Sequence, residues 1–213
     1  MAIEQASRDT CQTVLLRELN HRMANTLAWA SARLRLELRR PGALDVQAIL
    51  SRHERLLADF GALHRCLAIG AHGGMVALAE YFPAFSELLC RAVLAPIGAR
   101  CELSVAEIWL DAERCEKLAL IVAELVMNAA KHAFGNGADG CVRIAIEDGP
   151  DGIVCRIFDN GHGGALLSSG MGTRILTGLV DHLEGQIASR SGATGTEFVI
   201  WLPQGEPDLA LSS

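Results

Sequence analysis

Asp159-Asn160-Gly161-His162-Gly163 stands directly after a strand candidate, residues 153–158, and how that junction is read decides the fold. Glycines let a backbone turn sharply and approach a ligand closely. An aspartate at a strand end can accept a hydrogen bond from an exocyclic amine. Downstream, Gly170-Met171-Gly172 opens a helix expected to run to Glu184, and helix N-termini favour phosphate. Asp, Asn and Gly also make ordinary turns, so the motif alone carries little weight.

Upstream, residues 141–147 form a second strand candidate, joined to the first by the strong turn signal Gly149-Pro150-Asp151-Gly152. Before it, Asp111 is placed to cap a helix reaching about Phe134. Leu118, Ile121, Val122, Leu125, Val126 and Ala129 recur at helical spacing and predict a broad buried face. Glu124, Asn128 and His132 follow one another at i, i+4, i+8, with Lys131 alongside, on the other face. A carboxylate, an amide, a cation and an imidazole on one edge can hold a metal and a polyphosphate. Mg²⁺ takes few protein oxygens beside water and substrate phosphate, which makes Asn128 a credible ligand. The competing expectation is the plain solvent face of an amphipathic helix.

The rest of the C-terminal part reads as a third helix over residues 76–94, ended by Ala95-Pro96-Ile97-Gly98, and short extended runs at 101–105 and 108–110. Gly185 is placed as the C-cap of the last helix, and residues 186–190 and 197–202 as a closing hairpin across Ser191-Gly192-Ala193-Thr194-Gly195. Strands mixed with helices, mostly antiparallel, indicate an α+β sandwich with helices on one face.

Towards the N-terminus, residues 11–40 contain no Pro or Gly and predict one long helix. Leu16, Leu19, Met23, Leu27, Ala30 and Leu34 make an apolar stripe, and Glu18, His21, Arg22 and Asn25 a polar one roughly opposite. A neutral imidazole at His21 is a competent nucleophile toward phosphorus. Glu18 can hold one ring nitrogen, and Arg22 can meet phosphate oxygens. For this segment alone, a solvated helix face that carries a histidine is the expected reading. Pro41-Gly42 breaks the helix, and Asp45 can cap a second one to about Ile69, with Leu50, Leu57, Phe60, Leu63 and Leu67 on its inner side. His53 and His64, on the same helix, are expected to serve packing or the surface. Such a hairpin leaves an apolar seam that a second copy covers by forming a four-helix bundle. Gly70-Ala71-His72-Gly73-Gly74 reads as a hinge. The expected division is a helical hairpin over 1–72, a second domain over 73–203, and a flexible tail over 204–213.

The bulk properties restrict the function. The 213 residues are half hydrophobic, yet every long apolar run is broken by charge, so no membrane span is expected. Residues 1–10 show no signal-peptide pattern, and a cytoplasmic location is expected. A net charge of −6 argues against a nucleic-acid partner. Seven cysteines without C-x-x-C suggest reduced, mostly buried thiols, and the histidines lack zinc spacing.

The order of these features is specific. E-x-x-x-N on a helix, a hairpin, D-N-G-x-G, G-x-G opening a helix, and Gly195-Thr196-Glu197 before a last strand resemble the ATP-binding domain of histidine kinases, the Bergerat ATPase fold. Glu18-Leu19-Asn20-His21-Arg22 with Asn25 resembles the phosphoacceptor box of HWE-type histidine kinases and their close relatives, and Arg52, Arg55 and His64 resemble that family's dimerisation helix. The resemblance covers about residues 13–203. It implies a cytoplasmic homodimer that moves the γ-phosphoryl of ATP, with Mg²⁺, to His21 and on to the receiver domain of a response regulator, under an upstream sensor protein. It further implies that Asn128 holds Mg²⁺, that Glu124 positions metal and water, and that Lys131 and His132 face phosphates. Asp159 would read the adenine amine, with Gly161, Gly163, Gly170, Gly172 and Thr196 bordering the nucleotide. The alternative is a histidine phosphotransfer or scaffold protein of the same fold, with a degenerate ATP site and a His21 loaded by another protein. The short span between Gly164 and Gly170 is the feature that favours it.

Overall fold

The structure is a computed structural model, and it describes residues 31, 35, 46–134, 139–163 and 171–203. The expected first helix, with Glu18, His21 and Arg22, lies outside these residues apart from Ser31 and Arg35, which are helical and exposed. Asp45, Gly170 and the tail 204–213 also lie outside them. The chain divides after Phe60 into two compact units.

Helix α1 (Val46–Leu67) buries Ile49, Leu56, Phe60, Leu63 and Leu67. Leu50 and Leu57, expected on the same side, are instead 63% and 51% exposed. Each lies one residue, about 100° of helix, beyond Ile49 and Leu56, so the seven-residue spacing matches while the face does not. His53 Nδ1–H donates to Ile49 O at 3.0 Å, a bond within the helix.

In the second unit a 3₁₀ turn (Ala68–His72) leads to strand β1 (Met75–Ala77) and helix α2 (Leu78–Leu89). The single helix expected over 76–94 is thus shorter at both ends. Residues 75–77 pair antiparallel with β3 (Trp109–Asp111), and Leu78 N–H donates to Ile108 O at 2.9 Å. Beyond Leu89 the helix widens to a π turn (Cys90–Leu94), tightens to 3₁₀ (Ala95–Ile97) and stops at Gly98, φ +77°. The first part of the expected hinge is fastened to its own unit, because Gly70 N–H donates to Glu116 Oε2 at 2.9 Å.

The main sheet has five strands in the order β2 (Arg100–Val105), β4 (Cys141–Gly149), β5 (Gly152–Asp159), β7 (Gly195–Pro203), β6 (Gln186–Gly192). Only β2–β4 is parallel; the other pairs are antiparallel. Along β5, Ile153, Cys155 and Ile157 are buried while Val154, Arg156 and Phe158 are less so, the alternation of a sheet covered on one face. Helices α2, α3 (Ala112–His132) and α4 (Met171–His182) supply that cover: Phe82, Phe85, Leu118, Ile121, Leu125 and Leu176 are all but fully buried, as are Ile144, Ile146 and Ile200 of the sheet. The α+β class with helices on one face is therefore as expected. On the open face a row runs across all five strands, Glu102–Arg143–Phe158–Glu197–Arg190. Arg143 Nε lies 3.1 Å from Glu102 Oε2, and its guanidinium sits 5.7 Å from the Phe158 ring centroid.

Helix α4 ends differently from the sequence expectation. Glu184, not Gly185, takes the left-handed conformation, with φ +53°. Glu184 N–H donates to Asp181 O at 3.0 Å and Gly185 N–H to Val180 O at 2.9 Å, the paired bonds of a Schellman end. Gly185 is needed for another reason: a Cβ there would lie 2.6 Å from Trp201 O and 2.9 Å from Leu202 Cδ2. The helix end is pressed onto β7, and only hydrogen fits between them. Among the described residues no helix is long and apolar enough to cross a membrane, and the described cysteines are all free.

Candidate nucleotide site

Helix α3 begins where expected, with Asp111 Oδ1 accepting the N–H of Arg114 at 2.9 Å. All six residues predicted for its inner face are buried. Glu124 is buried too, at 5% exposure, because Leu118 to Val126 is covered all round. The solvent-face expectation therefore fails at Glu124. Asn128, one turn later, is half-buried, and Lys131 and His132 are exposed. The polar edge thus runs from the interior outward, with Lys131 and His132 at the open end.

The loop after β5 lies against the C-terminus of that helix. His162 N–H donates to Ala133 O at 3.1 Å, satisfying one of the carbonyls a helix end leaves free. The approach is so close that a Cβ at Gly161 would overlap Ala133 O and Cβ. On the other side, a Cβ at Gly163, where φ is +70°, would overlap Gly192 O in the β6–β7 turn. Both glycines are thus required by the protein's own backbone before any ligand arrives. Asn160 fastens the loop to β4: its Oδ1 accepts Cys141 N–H at 2.7 Å and its Nδ2 donates to Asp139 O at 3.0 Å. Sequence reasoning gave Asn160 no role of its own, although an Asx side chain in a turn is a signal for such a bond.

Asp159 is the last residue of β5 and is 4% exposed. Its Oδ1 accepts two backbone N–H groups, from Gly161 at 3.0 Å and Thr196 at 3.3 Å. Among the described residues Oδ2 makes no hydrogen bond, which leaves one carboxylate oxygen for a ligand. Burial pushes the Asp159 carboxyl above its ordinary pKa, against the opposing pull of the two N–H donors and of His162. Thr196, 1% exposed, is the cross-strand partner of Asp159, and its Oγ1 is 3.0 Å from Ser191 Oγ. Ser191 was not singled out by sequence; it lies in a turn-like run whose serine gives no signal. Gly172 belongs to the first turn of α4.

The structure thus joins Asp159, Gly161, Gly163 and Thr196 into one constellation and sets the exposed end of the Glu124–Asn128–His132 edge beside its loop, through the His162–Ala133 bond. Residues 89–200 match the family described as the histidine kinase-like ATPase domain. The chain belongs to that family. An ATPase domain implies ATP as the ligand of this fold.

Among similar proteins of this kind is the sensor histidine kinase PdtaS of Mycolicibacterium smegmatis, 27% identical over 201 residues, 89% of this chain and 40% of that protein. PdtaS of Mycobacterium tuberculosis shows the same identity, with 39% of its length covered. The chain therefore spans about 40% of the length of these curated relatives. In fold, the histidine kinase-like ATPase domain here matches the histidine kinase domain of the Erythrobacter litoralis EL346 blue-light activated histidine kinase. The TM-score is 0.59 at 17% identity, covering 83% of this chain and 95% of that one.

Proposed function

We propose that the protein is a histidine kinase core that binds Mg-ATP and transfers its γ-phosphoryl group to His21. The observation that carries this reading is the buried Asp159, whose Oδ1 is spent on two backbone N–H groups while Oδ2 is left for an exocyclic amine. The family and the sensor histidine kinase relatives supply the class of reaction.

The residues present fit Mg²⁺ rather than a metal that demands a protein cage. Among the described residues no group of three or more His, Cys, Asp or Glu is placed to hold a metal ion. Asn128 would give one amide oxygen, with water and phosphate completing the shell, as is usual for Mg²⁺. When bound, the ion neutralises phosphate charge. Glu124, buried one turn earlier, would orient a water beside it, and Lys131 and His132 would meet phosphate oxygens at the exposed end of the helix. Gly170 and Gly172 would bring the first turn of α4 close to the phosphates.

In the transfer step, one ring nitrogen of His21 forms a bond to the γ-phosphorus as the bond to the β–γ bridging oxygen breaks, and ADP leaves. Glu18 accepts the proton of the other ring nitrogen, and Arg22 pairs with phosphoryl oxygens. The proposal extends to a homodimer through a helical hairpin over 1–72, an ATP-binding domain over 73–203, and onward transfer to an aspartate of a receiver domain. The exposed Leu50 and Leu57 support the dimer, because two leucines seven apart on an uncovered helix face suit a bundle seam. An upstream sensor protein would provide the input, and the cytoplasm is the compartment that suits free thiols.

Calorimetric titration with ATP and Mg²⁺ tests the reading. Saturable binding that Asp159→Asn removes supports it. No heat at millimolar ATP would leave the phosphotransfer alternative in its place.

A further inference from the structure

We propose that Ser191 is a positioning residue for base recognition: its hydroxyl sets the direction of the Thr196 hydroxyl, so that Thr196 and Asp159 together read a 6-amino purine. The proposal rests on the ATP reading above and goes beyond it by naming a residue that sets base selectivity from outside the ligand's reach.

Ser191 on β6 is the direct cross-strand partner of Thr196 on β7, and Thr196 is in turn the cross-strand partner of Asp159 on β5. The three stand in one row at the end of the sheet that carries the D-N-G-x-G loop. Ser191 Oγ and Thr196 Oγ1 are 3.0 Å apart, close enough that one hydroxyl must donate to the other. Thr196 N–H donates to Asp159 Oδ1, so the strand pair that places Thr196 also holds the Asp159 carboxylate. Thr196 is almost fully buried, where a hydroxyl without a partner is costly, and among the described residues Ser191 is the partner its hydroxyl has, with either oxygen able to donate. The same turn also supports the loop. A Cβ on Gly163 would meet Gly192 O and lie 3.2 Å from Ser191 Oγ, so there is no room for a side chain between the loop and Ser191.

The chemistry follows from complementarity. The edge of a 6-amino purine presents a donor, the amine, and an acceptor, the adjacent ring nitrogen. Asp159 Oδ2 is the matching acceptor. With Ser191 donating to Thr196 Oγ1, the Thr196 proton is released to act as the matching donor. A 6-oxo purine reverses both groups, setting oxygen against carboxylate and N–H against O–H. Without Ser191, Thr196 reorients to satisfy itself and the second half of this discrimination is lost.

Ser191→Thr and Ser191→Val test the proposal, because the two side chains have one shape, suit a strand, and differ by the hydroxyl. ATP and ITP, each with Mg²⁺, are titrated into the full chain and both variants. The threonine variant should keep the parent's ATP affinity and its ATP-over-ITP preference. The valine variant should bind ATP about five- to tenfold more weakly, the loss of one oriented hydrogen bond, and its preference over ITP should fall by a similar factor. A purely structural serine would weaken both nucleotides alike, so an unchanged ratio in the valine variant overturns the proposal while the ATP reading stands. If valine prevents folding, Ser191→Ala takes its place in the same comparison. A parent protein that binds neither nucleotide overturns the ATP reading itself, and this proposal with it.

Discussion

Asp159 and Thr196 are joined twice: they face each other across β5 and β7, and the backbone N–H of Thr196 donates to Asp159 Oδ1 at 3.3 Å. One carboxylate oxygen is thus part of the fold and the other is available to a ligand. Asparagine at this position keeps an Oδ1 acceptor for both N–H groups but offers a weaker acceptor, or a donor, to an amine. Asp159→Asn should therefore fold and bind ATP about ten- to a hundredfold more weakly, since a buried polar mismatch costs about 1–3 kcal/mol. Calorimetry measures the affinity, and thermal unfolding should give a midpoint no lower than the parent's.

The raised pKa of Asp159 fixes the sign of a pH effect. Burial is its cause, so the folded state holds the proton more tightly than the unfolded chain does. The ionised carboxylate then costs stability above the folded-state pKa, and this cost disappears as pH falls below the unfolded-state value. Asp159→Asn should gain most over the parent near neutral pH, and the gain should shrink on acidification. ATP affinity should move the other way, falling as Asp159 is protonated and its free oxygen stops accepting. Melting curves and titrations over a pH series check both trends.

At the end of α4 the left-handed residue is Glu184, and the glycine follows it. Replacing Glu184 by glycine removes backbone strain of about 1 kcal/mol and should raise the unfolding midpoint by a few degrees. Gly185→Ala should lower it, because the added methyl meets Trp201 O and Leu202. Opposite shifts from adjacent positions are the expected result of differential scanning calorimetry.

Gly161→Ala should separate the loop from the helix it leans on. The methyl would overlap Ala133, pushing away His162, whose N–H satisfies the helix end. Loss of that bond and the accompanying strain should lower stability by about 1–3 kcal/mol. Displacement of Asp159's N–H donor should weaken ATP as well, which denaturant titration and calorimetry on the same variant would reveal.

Much of the local structure around this candidate site was legible because its residue types follow turn and capping chemistry. The strand before Asp159, the cap at Asp111 and the buried face of α3 all follow from period and turn chemistry. The misreadings arise where tertiary pairing or close approach overrides local preference. Residues 76 and 77, expected to begin a helix, are drawn with Met75 into a strand by Trp109–Asp111. Gly185 looks like a cap because sequence cannot tell a glycine needed for φ from one needed for space. Glu124 looks solvated because its own helix gives no hint that residues 118–126 are covered on every side. Ser191 is silent because its partner, Thr196, is recognised only once the hairpin register is known.

The measurement that bears most directly on the account is phosphorylation of the full chain with labelled Mg-ATP as the only donor. The account predicts label on His21, labile in acid and stable in base as a phosphoramidate is. His21→Ala should remove the label while leaving ATP binding intact, and Asp159→Asn should stop labelling by removing the nucleotide. Label that persists in His21→Ala, or a chain that stays dark with ATP yet accepts phosphate from a phosphorylated receiver domain irrespective of Asp159, would contradict it.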